Sequence, residues 1–373
     1  MPLVICSKST WQPAIRREHA LALLAAAHGH HVDFIERPLD IRALRHRSGV
    51  GDWCSGLLGR EISVKGQPQL RAVRRSTVLP GHLNDAGELT SNLFLRRALR
   101  ATPQDAAIVV NVPWDWPAAA SAGRRCVFDC ADDWSALMKH RSARLGALYA
   151  RIAEEADAVI LASDSLVSQF PRSHSVVVSN GVSDEMLEPL SAPVTATRMV
   201  HVGTLTPRFD ARLAAEVLDA LPDWTLDLYG QCQYPGRGER PGPDLSMLLS
   251  QYAPRVSWHG VVPRESLAEA IDRAAVALVF NRAEESLGQD SMKIYDYAAR
   301  GRPIVATRFS RQMEREGPPH VSFVEGAQGM AQAVQASSAE PASWSQERRR
   351  WAEEQRWSSR WEAWARAVFG EAG

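Results

Sequence analysis

At 373 residues the chain is longer than one hydrophobic core usually organises, and its apolar and charged fractions, 45% and 23%, are those of an ordinary globular protein. No run approaches the roughly 18 consecutive apolar residues of a membrane-spanning helix, which argues against an integral membrane protein. Formal charge is zero overall, yet the first 100 residues carry 15 Lys and Arg against 8 Asp and Glu, so something anionic is expected to meet the N-terminal part.

Short apolar runs alternate with amphipathic stretches from the start, the pattern of strand–helix–strand units with a buried parallel sheet. The N-terminus enters an apolar strand at once, over 3–6, with no basic segment and apolar core of a secretory leader, so a cytoplasmic location is expected. Further strands are expected over 32–35, 107–112, 126–129, 158–162 and 175–178, with helices over 16–28 and 144–156. The segment 49–87 reads as Gly-rich, basic and irregular. Three basic clusters, Arg42/Arg45/Arg47, Arg71/Arg74/Arg75 and Arg96/Arg97/Arg100, lie among Trp53, Leu57 and Leu58. They read either as solvated helix faces or as a patch for anionic lipid headgroups or a lipid-diphosphate acceptor, which would place the chain peripherally on the inner face of a membrane. No nucleic-acid motif accompanies them.

The Pro-, Ala- and Thr-rich stretch 189–197 reads as a linker. It divides an N-terminal domain over 1–188 from a C-terminal one over 198–345. In the second, strands are expected over 199–203, 225–229, 256–259, 276–280 and 304–307, with helices over 211–221, 266–274 and 291–300. A Trp-rich amphipathic tail over 346–373 is expected to pack back on the first domain. The five cysteines are scattered and odd in number, and Cys126 and Cys130 have no partner motif, so they read as small buried hydrophobes rather than zinc ligands.

Two stretches carry chemistry. At His201-Val202-Gly203-Thr204 a strand ends in a glycine and a helix follows from 211, an arrangement that lets main-chain N–H groups approach a diphosphate. It has neither the Gly-x-Gly-x-x-Gly spacing of dinucleotide enzymes nor the Lys-Ser/Thr ending of a P-loop. The second stretch, 291–305, is a helix closing at Gly301 into a strand. There Lys293 and Asp296, three residues apart, share a face. They could meet a diphosphate and a ribose diol, or simply pair at the surface. For a general base, Asp132 comes first, then Asp133 and Asp129, because loops beyond a strand's C-terminal end border the ligand crevice of an open sheet. The competing readings are helix N-caps for Asp132 and Asp133 and a buried structural carboxylate for Asp129.

Val-Gly-Thr at 202–204, Leu-Tyr-Gly at 228–230, His-Gly-Val at 259–261 and the stretch 293–305 together resemble the retaining-type family 4 and related GT-B glycosyltransferases. Ser179-Asn180-Gly181-Val182 and Asp129-Cys130-Ala131-Asp132-Asp133-Trp134 extend the resemblance into the first half. Ser291-Met292-Lys293 with Tyr295 looks most like the membrane-associated glucuronosyltransferase of xanthan synthesis (GumK-type).

The resemblance implies a GT-B α/β fold, two Rossmann-like doubly wound domains facing a central cleft. It implies a glycosyltransferase that moves a sugar from a nucleoside diphosphate sugar, UDP-linked by preference, to a hydroxyl of a lipid-linked saccharide, polysaccharide precursor or natural product. No metal or other cofactor is then required. Gly203 and Thr204 would lie against the diphosphate with Lys293 neutralising it, Ser291 and Met292 beside it, and Arg208 as a second cation or a solvated loop arginine. Asp296 would hold the ribose, and His259, Gly260 and Val261 would border the base. Family 4 enzymes carry two glutamates separated by seven residues. Gly288 stands where the first would fall, so Glu285, or Glu284 beside it, takes that role and the stereochemical outcome stays open. A GT-B epimerase acting on the UDP-sugar and a non-catalytic nucleotide-sugar-binding subunit are the alternatives.

Overall fold

The computed structural model describes residues 1–11, 15–45, 47–170, 174–234, 237–286, 289–337 and 339–370, the side chains of residues 45, 47, 48 and 285 excepted. The chain divides into two compact units, Met1–Ser179 with Arg360–Gly373, and Asn180–Ser359.

The first unit is built on eight strands: β1 (Leu3–Cys6), β2 (Val32–Ile35), β3 (Glu61–Ser63), β4 (Leu70–Val73), β5 (Ala107–Val110), β6 (Cys126–Cys130), β7 (Ala158–Leu161) and β8 (Ser175–Val177). Their order in the sheet is β3-β4-β2-β1-β5-β6-β7-β8, parallel throughout except for β3, which runs antiparallel to β4. Strands β1, β2, β5, β6 and β7 are buried on both faces, which is why β1, β5 and β7 read as unbroken apolar runs, while β2 and β6 each carry one buried aspartate, Asp33 and Asp129. Cys126 and Cys130 sit buried and unoxidised in β6.

The segment 49–87 is not irregular. It holds most of the helix Arg47–Leu57, then β3 and β4. Strand β4 is hidden in the sequence because Arg71 interrupts its apolar run. In the sheet Arg71 lies opposite Asp33 of β2 and is paired with that carboxylate and with Glu61 of β3, so the charge is neutralised by neighbours distant in the chain.

The second unit has six strands, all parallel: β9 (Thr195–Val202), β10 (Thr225–Tyr229), β11 (Val256–Trp258), β12 (Ala274–Val279), β13 (Ile304–Thr307) and β14 (Val321–Val324). The order is β11-β10-β9-β12-β13-β14. Consecutive strands step outward from β9 in one direction and then in the other, so the switch point of this sheet lies between β9 and β12. Its core runs through Met199, Leu226, Leu228, Val276, Leu278 and Phe280.

Strand β9 begins at Thr195, inside the stretch read as a linker, and the division between units falls at 179/180. The Trp-rich tail is shared between the units. Helix Ala342–Glu354 belongs to the second, where Trp351 packs on Tyr295 at 5.2 Å between rings. Helix Trp361–Phe369 belongs to the first, with Trp364 fully buried and Arg125 donating to the Ala367 and Val368 carbonyls. Among the described residues no helix is long and apolar enough to cross a membrane.

Candidate functional site

Beyond the C-terminal ends of β9, β10 and β11, three glycine-bearing loops are joined by their main chains. The Gly203 N–H donates to the Tyr229 carbonyl at 2.8 Å, and the Gly230 N–H donates to the Gly260 carbonyl at 2.7 Å. Gly230 has φ of 133°, and a Cβ there would lie 2.1 Å from the Gly203 carbonyl oxygen, so only glycine allows this approach.

Gly203, with φ of 142°, faces the side chain of Lys293 from the first turn of helix Met292–Ala299. A Cβ on Gly203 would fall 2.9 Å from Lys293 Cε and 3.1 Å from Nζ. The ammonium donates to Asn281 Oδ1 at 3.3 Å, from the residue two past the end of β12. Gly203 and Asn281 therefore bracket the β9/β12 switch point, and Lys293 reaches over it.

The electrostatics there are one-sided. Burial, with the nearby Arg208 guanidinium, holds the Lys293 ammonium down to about 7. His201, which is 1% exposed, directs Nδ1 at the Leu278 carbonyl at 3.0 Å, so Nδ1 carries the proton and Nε2 is an acceptor on the Gly203 side. Burial and Lys293 push its pKa well below the ordinary histidine range. A cation made costly by burial and by a second cation gains most from an anion that restores its charge. Ser291 caps the helix in extended backbone and is buried, Met292 is half-buried, and Thr204 continues the Gly203 loop, half-buried.

The loop after β11 differs. His259 is exposed and stacks on Tyr229 at 4.5 Å between rings, while its Nε2 meets Asp227 at 2.7 Å. Gly260 follows in positive φ and Val261 is 39% exposed, so this loop presents main chain and a small apolar side chain outward.

Asp296, expected to face a ribose, is only 4% exposed. Arg264 grips both its carboxylate oxygens, at 2.6 and 3.1 Å, and donates to Ser183 Oγ as well. Burial pushes the Asp296 carboxyl up in spite of that guanidinium. The geometry thus pairs Asp296 with Arg264, in place of the surface pair with Lys293 that their spacing allowed. Glu285 lies in a short turn of helix with its side chain outside the described residues, Gly288 lies outside them altogether, and Glu284 is exposed. Asn180, from the Asn-Gly-Val segment, donates to the Asp290 carboxylate and carbonyl just ahead of Ser291. Asn281 and Arg264 are not marked by any motif in the sequence; the position of Asn281 just past an apolar strand, beyond the end of β12, is the one signal by which it could have been found.

In the first unit the three aspartates separate cleanly. Asp129 is 1% exposed and bound to Arg17 at 3.0 Å and to the Trp364 indole at 3.3 Å, a structural carboxylate. Asp133 caps the helix Trp134–Leu137 through the Ala136 N–H at 3.0 Å. Asp132 is partly exposed beyond the end of β6 and accepts from Lys8 Nζ at 2.5 Å. Burial works against the Lys8 charge, but Asp132 and Glu18 outweigh it and raise its pKa above the ordinary value. Among the described residues no three His, Cys, Asp or Glu side chains converge as metal ligands would.

Comparison with known proteins bears on the second unit first. The family described as glycosyl transferases group 1 matches residues 196–338. TuaH of Bacillus subtilis (strain 168), described as a glycosyltransferase of teichuronic acid biosynthesis, is 21% identical over 223 residues; the match covers 54% of this chain and 54% of TuaH, about half of its length. Sucrose-phosphate synthase from Thermosynechococcus elongatus superposes with a TM-score of 0.74 at 18% identity, covering 98% of this chain and 97% of that one. Anabaena Alr3699/HepE, solved in complex with UDP-glucose, gives 0.70 at 14% identity and covers 99% of each chain. Residues 196–338 thus resemble the glycosyl transferases group 1 family, in a chain with the GT-B fold.

Proposed function

We propose that the chain is a glycosyltransferase that moves a sugar from a UDP-sugar to a saccharide hydroxyl, with its own side chains rather than a metal neutralising the leaving diphosphate. The observation that carries this reading is the Lys293 ammonium held over Gly203 at the β9/β12 switch point, lowered to about 7 by burial and by Arg208. In the reaction the bond from the anomeric carbon to the diphosphate oxygen breaks and a bond to the acceptor oxygen forms. The acceptor proton passes to a base, for which Asp132 is the choice, while Lys293 and Arg208 meet the charge developing on the diphosphate. Main chain and Val261 after β11 border the base.

Uridine is favoured because HepE is a UDP-glucose complex of the same fold. A polysaccharide-precursor acceptor is favoured because TuaH is described as a glycosyltransferase of teichuronic acid biosynthesis. The closer likeness to xanthan-type glucuronosyltransferases rests on Ser291-Met292-Lys293 and Tyr295 and belongs to this proposal, as does a cytoplasmic location.

Calorimetric titration with UDP, GDP and dTDP in the presence of EDTA tests the donor reading. UDP is expected to bind in the micromolar range, about tenfold or more tighter than the other two. Binding of UDP that requires a divalent cation would contradict it. Gly203→Ala is expected to weaken UDP about tenfold in the same titration. The new methyl displaces the flexible end of Lys293 and, at a φ of 142°, strains the backbone as well, so a lowered melting temperature accompanies the movement of the ammonium off the diphosphate.

A further inference from the structure

Helix Asp85–Arg100 has an outer face that its role in the first unit does not explain. Its inner face is anchored by Leu95 and Leu99, by Asn92 donating to the Trp114 carbonyl at 2.8 Å, and by Glu88, which pairs with Arg141 and Arg144. The opposite face carries Leu89 and Leu93, one turn apart, and continues along the same side through Arg96, Arg97 and Arg100. Leu89 is 72% exposed and Leu93 64% exposed; with Leu58 at 81% they are the three most exposed large apolar side chains among the described residues, all in the first unit. Arg97 and Arg100 are exposed and have no carboxylate partner among the described residues, and Arg96 donates to Ser121 Oγ at 3.1 Å rather than to an acid.

Arginines in a last turn suit the helix dipole, which accounts for Arg97 and Arg100 taken alone. It does not account for two aligned, nearly bare leucines ahead of them. A face with leucines along one half and unpaired guanidinium groups along the other matches a surface that is apolar just beneath a layer of anions.

We propose that this face docks on an anionic lipid bilayer, with Leu89 and Leu93 entering the headgroup–acyl boundary and Arg97 and Arg100 meeting lipid phosphates. The cationic excess of the first 100 residues draws the chain to that surface, and the leucines hold it there. The inference stands apart from the donor reading, since none of these residues belongs to the second unit.

Flotation of the full chain with extruded vesicles tests it, using phosphatidylcholine alone and phosphatidylcholine with about one part in three phosphatidylglycerol, at low and high salt. The wild type is expected to float with the anionic vesicles at low salt and to release at high salt. The double variants Leu89→Gln/Leu93→Gln and Arg97→Glu/Arg100→Glu should each lose about tenfold or more of the partitioning. Both should keep the wild-type circular dichroism spectrum and melting temperature, which report that they fold. Equal partitioning of wild type and variants, absence of wild-type binding, or equal binding to uncharged vesicles overturns the proposal. So does a dimer in sedimentation that the leucine variant dissolves, which would assign the face to a second copy of the chain.

Discussion

Lys293→Met is expected to lower UDP affinity about 10- to 100-fold and at the same time to raise the melting temperature of the UDP-free chain. The loss of affinity is that of a charge-assisted hydrogen bond from a half-buried lysine to phosphate. The gain in stability comes from the same burial. In the unfolded chain the lysine stays protonated to about pH 10.4, whereas in the fold burial and Arg208 bring it down to about 7. Below pH 7 both states carry the charge, and the cost of burying it beside Arg208 is present in full. Between about 7 and 10 the unfolded state binds more protons, so this group's contribution to stability rises with pH as the cost is relieved. Removing the ammonium should therefore stabilise most at neutral and acidic pH and little at alkaline pH. Melting curves of wild type and variant across that range check the sign. A melting temperature lowered equally at every pH would mean that Lys293 is a structural anchor through Asn281 and not a charge held for a ligand.

Asp132→Asn is expected to reduce sugar transfer by about 10²- to 10⁴-fold while leaving UDP affinity unchanged, the effect of removing a general base from a unit that does not hold the nucleotide. Asp133→Ala serves as its control. Its carboxylate caps a short helix, so its loss should cost about 1 kcal/mol of stability and leave the rate on the remaining folded enzyme near the wild-type value. Initial-rate assays with a UDP-sugar and a saccharide acceptor, normalised to folded protein by UDP titration, distinguish the two residues. Transfer undiminished in Asp132→Asn would remove Asp132 from the mechanism and leave it a structural role that includes its ion pair with Lys8.

The parts of this fold that the sequence displays are those whose cause is local. Strands β1, β5 and β7 are short runs buried on both faces, so composition alone locates them. Strand β4 and its antiparallel neighbour β3 are invisible by that criterion, because the charge of Arg71 is answered by Asp33 and Glu61 only after the sheet has formed. Strand β14, half-buried at the sheet edge, lacks the run for the opposite reason.

The site divides the same way. Gly203 and Lys293 stand out because a strand–glycine–loop and a helix start are local patterns, and the topology then brings both to the β9/β12 switch point. The fate of Asp296 was not readable, since it depends on Arg264, which lies on a separate helix. The roles of Asp129 and Asp132 likewise depend on Arg17, Trp364 and Lys8, none of them near in sequence, whereas the cap formed by Asp133 is local.

The central claim is that Lys293 is a cation reserved for a nucleoside diphosphate. Its most direct test is UDP calorimetry of the wild-type chain at about pH 8, with EDTA, in two buffers of different ionisation enthalpy. With Lys293 near 7 in the free chain, roughly nine-tenths of the population enters with a neutral amine, so binding should take up close to one proton per UDP. The same titration of Lys293→Met should show weakened binding without that uptake. UDP bound with no proton uptake by the wild type, or with equal affinity by the variant, would contradict the account.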